Sequence, residues 1–196
     1  MNIDWSFPEP RTGLPGVLDR FIGPGATRAE LILQVAVPSG MAVLAPLYAS
    51  LAGFGWTWGQ LLFSSLLAFD IAGGVLTNAT SSAKRWFHRP GQRPVQHLGF
   101  VGLHLVHLTL VSWLYLELDL GWVLAAGGYL LLAAMAVLAM PRYLQRPVGL
   151  LGYAGGLLLA LYGLLQPAGL EWFLPLFYLK LLVSHLLVEE PYRPEP

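Results

Sequence analysis

Apolar residues fill six long stretches of the chain, and short segments between them carry most of the charged residues. The stretches run over 30–52, 57–80, 96–116, 120–140, 146–166 and 170–189. Each is close to the roughly 20 residues that a helix needs to cross a bilayer core about 30 Å thick. The pattern predicts an all-α fold, a polytopic six-helix transmembrane bundle over residues 30–190. A segment 1–29 precedes the bundle and a tail 191–196 follows it.

Residue patterns in the N-terminal segment predict a short helix within it and mark where the first span begins. Thr27 and Glu30 fit the S/T-x-x-E capping box, in which each side chain satisfies a free backbone N–H of the first turn. The first 30 residues have no continuous apolar core, so we do not expect a cleavable signal peptide. Apolar residues at helical spacing predict a helix lying on the membrane surface: Leu14, Val17, Leu18 and Phe21.

Composition agrees with a membrane protein and excludes several kinds of chemistry. Apolar residues make up 56% of the chain and charged residues 11%, and mean hydropathy is +0.60. The absence of cysteine excludes disulfides, Cys-ligated zinc, iron–sulfur clusters and thiol catalysis. Formal net charge is zero, so no nucleic-acid partner is expected.

The distribution of Lys and Arg predicts the orientation. Positive residues in short loops mark the cytoplasmic side, and the loops on the opposite side carry only Glu117, Asp119 and Glu171. We therefore expect a multi-pass protein of the cell membrane with both termini in the cytoplasm. Ten of the eleven cations lie on one side of a six-span topology: Arg11, Arg20, Arg28, Lys84, Arg85, Arg89, Arg93, Arg142, Arg146 and Arg193.

Ionisable residues inside the spans are the main candidates for function. Such groups are costly in lipid and by default mark a functional site or a buried partner. When a rise of about 1.5 Å per residue is counted from the cytoplasmic end of each span, all of these residues lie between that end and the middle of the bilayer. Helical phase then allows spans 2, 3 and 6 to enclose one polar cavity open to the cytoplasm. The set is Asp70 in span 2, His97, His104 and His107 in span 3, and Lys180 and His185 in span 6.

These side chains have two possible roles: catalysis or cofactor binding on the one hand, and helix packing on the other. As catalytic groups, Asp70 would be a base, His104, His107 and His185 would shuttle protons, and Lys180 would offset the charge of Asp70. As metal ligands, His97, His104, His107 and His185 could hold a divalent ion such as zinc and activate a bound water. A haem between two histidines is a further alternative. The packing alternative is an Asp70–Lys180 ion pair and imidazoles that hydrogen-bond between helices.

An aspartate, a serine and several histidines near the cytoplasmic side resemble the zinc hydrolases that include alkaline ceramidases and adiponectin receptors. That family has seven spans and an H-x-x-x-H on the last helix, whereas this chain has six predicted spans and only Ser184-His185 there. The resemblance covers residue types alone, so no roles are carried over. Membrane di-iron desaturases are similar in histidine richness, but they need eight or more histidines and this chain has five.

Two further patterns concern lipid and partners. Asn78, Lys84, Arg85 and Arg89 follow span 2 and could hold an anionic lipid headgroup. Small residues three or four apart in span 5 predict close helix packing, either within the bundle or between copies of the chain. They are Gly149, Gly152, Gly156, Ala160 and Gly163.

The preferred hypothesis is an intramembrane enzyme, metal-dependent in one version, that acts on a lipid or other apolar substrate from a cytoplasm-facing pocket. The first alternative is a small-solute or proton-coupled transporter that uses the Asp, His and Lys residues as a relay. The second is a non-catalytic membrane assembly or haem-binding module.

Overall fold

The computed structural model describes residues 2–193 and is a helical bundle. Most of its helices coincide with the predicted spans. In chain order the elements are β1 (Asn2–Ile3), α1 (Gly13–Ile22), α2 (Arg28–Leu51), α3 (Trp58–Ala79), α4 (Ser81–Phe87), α5 (Pro94–Leu103), α6 (Leu105–Tyr115), α7 (Leu120–Ala139), α8 (Arg142–Leu158) with a π-helical end (Leu159–Gly163), α9 (Phe173–Tyr178) with a π-helical continuation (Leu179–His185), and β2 (Tyr192–Arg193).

Within residues 2–193, five helical stretches are long and apolar enough to cross a membrane: α2, α3, α5 with α6, α7, and α8 with its π-helical end. The sixth predicted span is shorter. Its helical part covers only Phe173–His185, about 20 Å at 1.5 Å per residue. Phe177, Leu181 and Leu182 in it are fully buried, because α3, α7 and α8 surround it. The expected sixth span is thus a short helix enclosed by the others.

Local signals explain where the long helices begin. Thr27 and Glu30 form the predicted capping box at the start of α2, and Thr57 with Gln60 forms a second one at the start of α3. The α2 helix continues through Pro38 and Pro46 and packs along α3. Gly73 of α3 faces Pro38 in this contact, where a Cβ would lie at ordinary van der Waals distance, 3.4 Å, from the Cγ of Pro38.

The small residues of α8 pack inside the bundle. A Cβ on Gly149 would lie 2.9 Å from a methyl carbon of Leu187, and one on Gly156 would lie 2.7 Å from the ring of Tyr178. Both neighbours belong to the last helical region or directly follow it. The predicted close packing therefore exists within the chain at Gly149 and Gly156.

The N-terminal segment and the last described residues meet at one end of the bundle, called here the terminal end. Asn2 pairs with Arg193 and Ile3 with Tyr192 in a two-stranded antiparallel sheet. Arg193 also contacts the carboxylate of Asp4 at 3.0 Å. The two ends of the described chain are thereby fixed to each other.

Two short helices cover the terminal end. The α1 helix matches the predicted surface helix, and its apolar side chains, such as Leu14 and Phe21, are exposed. The α4 helix lies between the second and third predicted spans. It is fixed by Ser82, whose hydroxyl donates to the carbonyl of Ile22 at 3.1 Å and whose N–H donates to Glu30 at 3.0 Å.

Candidate functional site

Asp70 is the centre of a charged cluster in the middle of the bundle. The Lys180 ammonium donates to Asp70 Oδ2 at 2.6 Å, and His107 Nε2 lies 3.2 Å from the same oxygen. Lys180 is 2% exposed, whereas the Asp70 side chain is 36% and the His107 side chain 22% exposed. Asp70 Oδ1 has no hydrogen-bond partner within residues 2–193. The two oxygens of the carboxylate therefore differ: Oδ2 accepts from Lys180 and lies close to His107, whereas Oδ1 has no partner among the described residues.

Gly74 makes room for the lysine of this cluster. It lies one turn beyond Asp70 on α3, and a Cβ there would overlap Cδ and Cε of Lys180. The aliphatic part of Lys180 therefore lies directly on the backbone of α3. This contact guides the ammonium to Asp70, where it also donates to the Asp70 carbonyl at 3.3 Å.

His104 and His107 lie at a break between α5 and α6. The N–H of His104 donates to the carbonyl of Val101, and the N–H of His107 to that of His104, so the chain makes tight i to i−3 bonds there. The two rings stack with centroids 5.1 Å apart. Nδ1 of His104 donates to the carbonyl of Phe100 at 2.8 Å. These two histidines, with Asp70 and Lys180, form what we call the Asp70 cluster.

The other three histidines form a second group, the His185 cluster. Nδ1 of His97 lies 3.3 Å from Nε2 of His185, and the rings of His88 and His97 stack at 4.8 Å. His88 Nε2 donates to the carbonyl of His185 at 3.0 Å. The Nδ1 atom of His185 is buried and has no partner within the described chain. An unpaired buried acceptor is tolerated better than an unpaired N–H, so we assign the proton of His185 to Nε2.

Phe100 separates the two clusters. Its ring stacks on His185 with centroids 4.1 Å apart and lies 4.5 Å from the ring centroid of His104. All five histidines of the chain thus lie in one row, with an aromatic side chain between its two parts. The single cavity that helical phase allowed is replaced by two packed clusters.

The predicted four-histidine metal site is not formed. His97 and His185 belong to one cluster, and His104 and His107 to the other. Between residues 2 and 193, no three His, Asp or Glu side chains converge in a way that could hold a metal ion. The break at His104 and the ring of Phe100 explain the division, since helical phase alone would place the rings of span 3 on one face.

The predicted headgroup residues are also dispersed. Lys84 points inward, where its ammonium donates to the carbonyls of Ser184 and Leu187 at 2.7 Å each, and it lies 3.4 Å from Glu189. It therefore caps the end of the last helix, where carbonyls lack partners. Arg89 lies over the ring of Trp86 at 3.8 Å. Asn78 is buried in α3, and Arg85 is buried beside a cavity that the other three residues do not line.

Burial affects the charges of the residues that lie beyond the spans. It lowers the pKa of the Lys84 ammonium, while the nearby Glu189 acts in the opposite direction. The pKa of His88 is lowered to about 3, first by burial and then by the charge of Lys84. His88 is therefore neutral at physiological pH, consistent with its stacking on His97.

Several polar side chains in the half of the bundle away from the terminal end bond to backbone carbonyls. The Ser64 hydroxyl donates to the carbonyl of Leu61 at 2.8 Å, and that of Ser112 to the carbonyl of Asp119 at 3.0 Å. Tyr115 donates to the carbonyl of Gln60 at 2.6 Å. These polar side chains bond to nearby backbone and do not extend the two clusters.

Three features of the site were not found from the sequence. His88 was not among the candidate residues from the sequence, although it contacts His97 and His185. Phe100 and Gly74 have no ionisable side chain, so the pattern of ionisable residues did not predict their roles. Phe100 lies three residues from His97 and four from His104, a spacing that places it between them on one helical side.

Comparison with models of protein families, with curated proteins and with solved structures finds no match to this chain. The resemblance in residue types to the alkaline ceramidases and adiponectin receptors therefore has no support from a family match.

Proposed function

We propose that the protein is an intramembrane enzyme that performs acid–base chemistry at Asp70 on a lipid-soluble substrate. The observation that supports this most is the asymmetry of the Asp70 carboxylate. Oδ2 accepts from Lys180 and faces His107, while Oδ1 has no partner within the described residues and the side chain is 36% exposed. Oδ1 is then the atom that accepts a hydrogen bond, or a proton, from a substrate hydroxyl or amine.

His107 provides the next position for a proton. Its Nε2 faces Asp70 Oδ2, and its Nδ1 lies 3.3 Å from the carbonyl of His104. Each ring nitrogen therefore faces an acceptor, and the ring can take up a proton on one side of the cluster and hold it on the other. Lys180 keeps a positive charge beside Asp70 throughout, which limits the cost of a carboxylate at membrane depth.

The surroundings of the cluster favour an apolar substrate that enters from the side of the bundle. Leu66 lies one turn before Asp70 and Leu103 one turn before His107, and both are largely exposed. The α3 helix packs mainly on α2 and on the π-helical segment of the last helix, and much less on α6. A lipid-soluble molecule could approach Asp70 along this apolar edge.

The positive-inside pattern places the terminal end in the cytoplasm under this proposal. Arg142 and Arg146 line one cavity with Lys84, and Arg85 lines another with Arg193. These cations from separate parts of the sequence thus gather at one end. The Asp70 cluster would then exchange protons with the cytoplasmic side.

The experiment is a comparison of substrate conversion by wild type and Asp70→Asn. Purified protein is incubated with a total lipid extract, and the lipid-soluble species are compared by mass spectrometry. We expect at least one species to change mass with wild type and to remain unchanged with Asp70→Asn. Asp119→Asn is the matched control, because Asp119 only caps α7 through the N–H of Trp122. Equal lipid profiles for wild type and Asp70→Asn would overturn the enzyme proposal.

A proton-coupled carrier is the second candidate, favoured by the row of histidines that continues from Asp70 to His88 at the terminal end. Phe100 interrupts this row, so transfer along it requires displacement of that ring. Proton flux into proteoliposomes under an imposed potential distinguishes the candidates. A carrier predicts flux that Asp70→Asn abolishes and Phe100→Ala increases, whereas the enzyme proposal predicts no flux above empty vesicles.

A further inference from the structure

A cavity of about 730 Å³ lies at the terminal end, away from both histidine clusters. Its wall is formed by the N-terminal segment, the start of α2, α4 and β2. The residues that matter for its chemistry are Ser6, Thr27, Glu30, Ser81, Arg85 and Arg193. This volume is in the range of sites that hold small organic molecules and is far larger than a single inorganic ion needs.

Arg85 is the unusual residue of this wall. It is 2% exposed, and within residues 2–193 its guanidinium makes no hydrogen bond and no ion pair. Its Nε is fully buried without a partner. A guanidinium stays charged in a protein, and a buried charge is costly unless it is paired. Since Arg85 borders the cavity, a partner for this charge can come from the cavity.

The other charged groups of the wall are already satisfied. Arg193 contacts Asp4 at 3.0 Å and donates to the carbonyl of Ser6 at 3.0 Å. Glu30 accepts from the N–H of Thr27 at 2.7 Å and from the N–H of Ser82 at 3.0 Å. Among the charged groups of the described wall, Arg85 is thus the one whose side chain has no hydrogen-bond partner. Burial and the charge of Arg193 lower the pKa of this guanidinium, whereas the nearby carboxylates of Glu30 and Asp4 act in the opposite direction.

We propose that this cavity binds a phosphate ester, carried by an anionic lipid headgroup, with Arg85 as its counter-ion. A planar guanidinium suits two oxygens of one phosphate, and the hydroxyls of Thr27 and Ser81 in the same wall can donate to a third. The lipid source is favoured by α1, which leads into Gly25 of the cavity wall. Its exposed side carries Leu14, Val17, Leu18 and Phe21, as expected for a helix at the membrane surface.

The site differs from the headgroup set expected from the sequence. Of Asn78, Lys84, Arg85 and Arg89, only Arg85 borders this cavity. Its position one residue after Lys84 on a helix turns the two side chains in different directions. Lys84 caps the last helix, and Arg85 is left for a ligand.

The test uses the full chain in neutral detergent micelles. Short-chain phosphatidylglycerol, short-chain phosphatidylcholine and inorganic phosphate are each titrated, and binding is followed by the rise in unfolding temperature. We expect phosphatidylglycerol to bind tightest, and Arg85→Gln to weaken that binding by about tenfold or more, as for loss of a charge-assisted contact. Arg89→Gln is the matched control, because Arg89 lies on Trp86 outside the cavity, and it should bind like wild type.

Two further variants test whether lost binding results from misfolding and whether another part of the chain occupies the cavity. Ser6→Phe leaves Arg85 in place and fills part of the cavity, so it should weaken phosphatidylglycerol binding as well. Without lipid, Arg85→Gln should unfold at the same or a higher temperature than wild type, since it removes an unpaired buried charge. Glu195→Gln tests whether an acid from residues 194–196, outside the described residues, takes the place of a ligand.

Each outcome bears on the proposal. Inorganic phosphate that binds as tightly as phosphatidylglycerol, with the same loss in Arg85→Gln, would support the Arg85 site and assign it to a soluble phosphate. Phosphatidylglycerol binding that is unchanged in Arg85→Gln and Ser6→Phe would overturn it, as would the absence of binding in all proteins. Binding that occurs only in Glu195→Gln would also overturn it, because the chain's own acid would then fill the cavity.

Discussion

Replacing Asp70 alone should destabilise the bundle more than replacing Asp70 and Lys180 together. Asp70→Asn leaves the ammonium of Lys180 buried, at 2% exposure, without its counter-ion. Lys180→Met removes that charge, and the double variant leaves neither. The comparison therefore separates the cost of an unpaired charge from the net value of the pair.

The structure sets the expected magnitudes. At 2.6 Å the gross attraction is about 6 kcal/mol for an effective dielectric constant of about 20, and desolvation of Lys180 offsets much of it. Breaking a buried pair costs about 3–5 kcal/mol. Because Asp70 is 36% exposed, we expect the lower end, about 3 kcal/mol, for Asp70→Asn. Lys180→Met should cost about 1–2 kcal/mol, since the remaining carboxylate still faces His107.

The assay is unfolding in mixed micelles with increasing dodecyl sulfate, from which the free energy of unfolding is extrapolated. A coupling of about 2 kcal/mol between the two substitutions is expected. As a control, Asp70→Asn is combined with Ser50→Ala, whose hydroxyl bonds only to Pro46 in its own helix, and these effects should add. A coupling between Asp70 and Lys180 below about 0.5 kcal/mol would refute the ion pair as described.

Three more predictions follow from the contacts. Gly74→Ala should displace the Lys180 side chain that lies on it, lowering the free energy of unfolding by about 1–3 kcal/mol, and the loss should be smaller in a Lys180→Met background. The pKa of His88 is held at about 3 in the folded protein against about 6.5 unfolded. The unfolded state therefore binds more protons between these values, so stability should fall as pH decreases below about 6.5, and His88→Gln should flatten this dependence of the unfolding temperature. Asp19 has its pKa lowered to about 2 by its hydrogen bonds with Arg11. Its contribution is present above about pH 4 and lost as pH falls towards about 2. The protection of α1 against hydrogen exchange, corrected for the intrinsic exchange rate at each pH, should therefore decrease over that window, and in Asp19→Asn already at neutral pH.

Much of the bundle was predictable because its signals are local. The capping box of Thr27 and Glu30 requires only residues three apart, and the long helices need only continuous apolar runs. The pairing of Asp70 with Lys180 followed from opposite charges at equal depth, and the structure places them in contact. The glycines of α8 were predicted to pack closely because their spacing keeps them on one helical side.

The arrangement of the histidines, Lys180 and Lys84 was not predictable. It depends on helical phase and on where helices end, and the sequence shows neither. The π-helical turn from Leu179 to His185 has more residues per turn than an α-helix, so α-helical phasing misplaces Lys180 relative to His185. The break at His104 turns the third span into two helices and divides its histidines. Lys84 was expected to face a lipid, yet it reaches carbonyls about 100 residues away in sequence. Such a contact requires the tertiary arrangement of α4 and the last helix.

The pairing of β1 with β2 has a consequence for biosynthesis. Ile3 has its partner only in Tyr192, so the seam between the two strands cannot form until residue 192 has left the ribosome. At ordinary translation rates this delay is roughly 10–40 s. The first strand remains an unpaired edge for that whole time, and its length of two residues gives other nascent chains little to pair with.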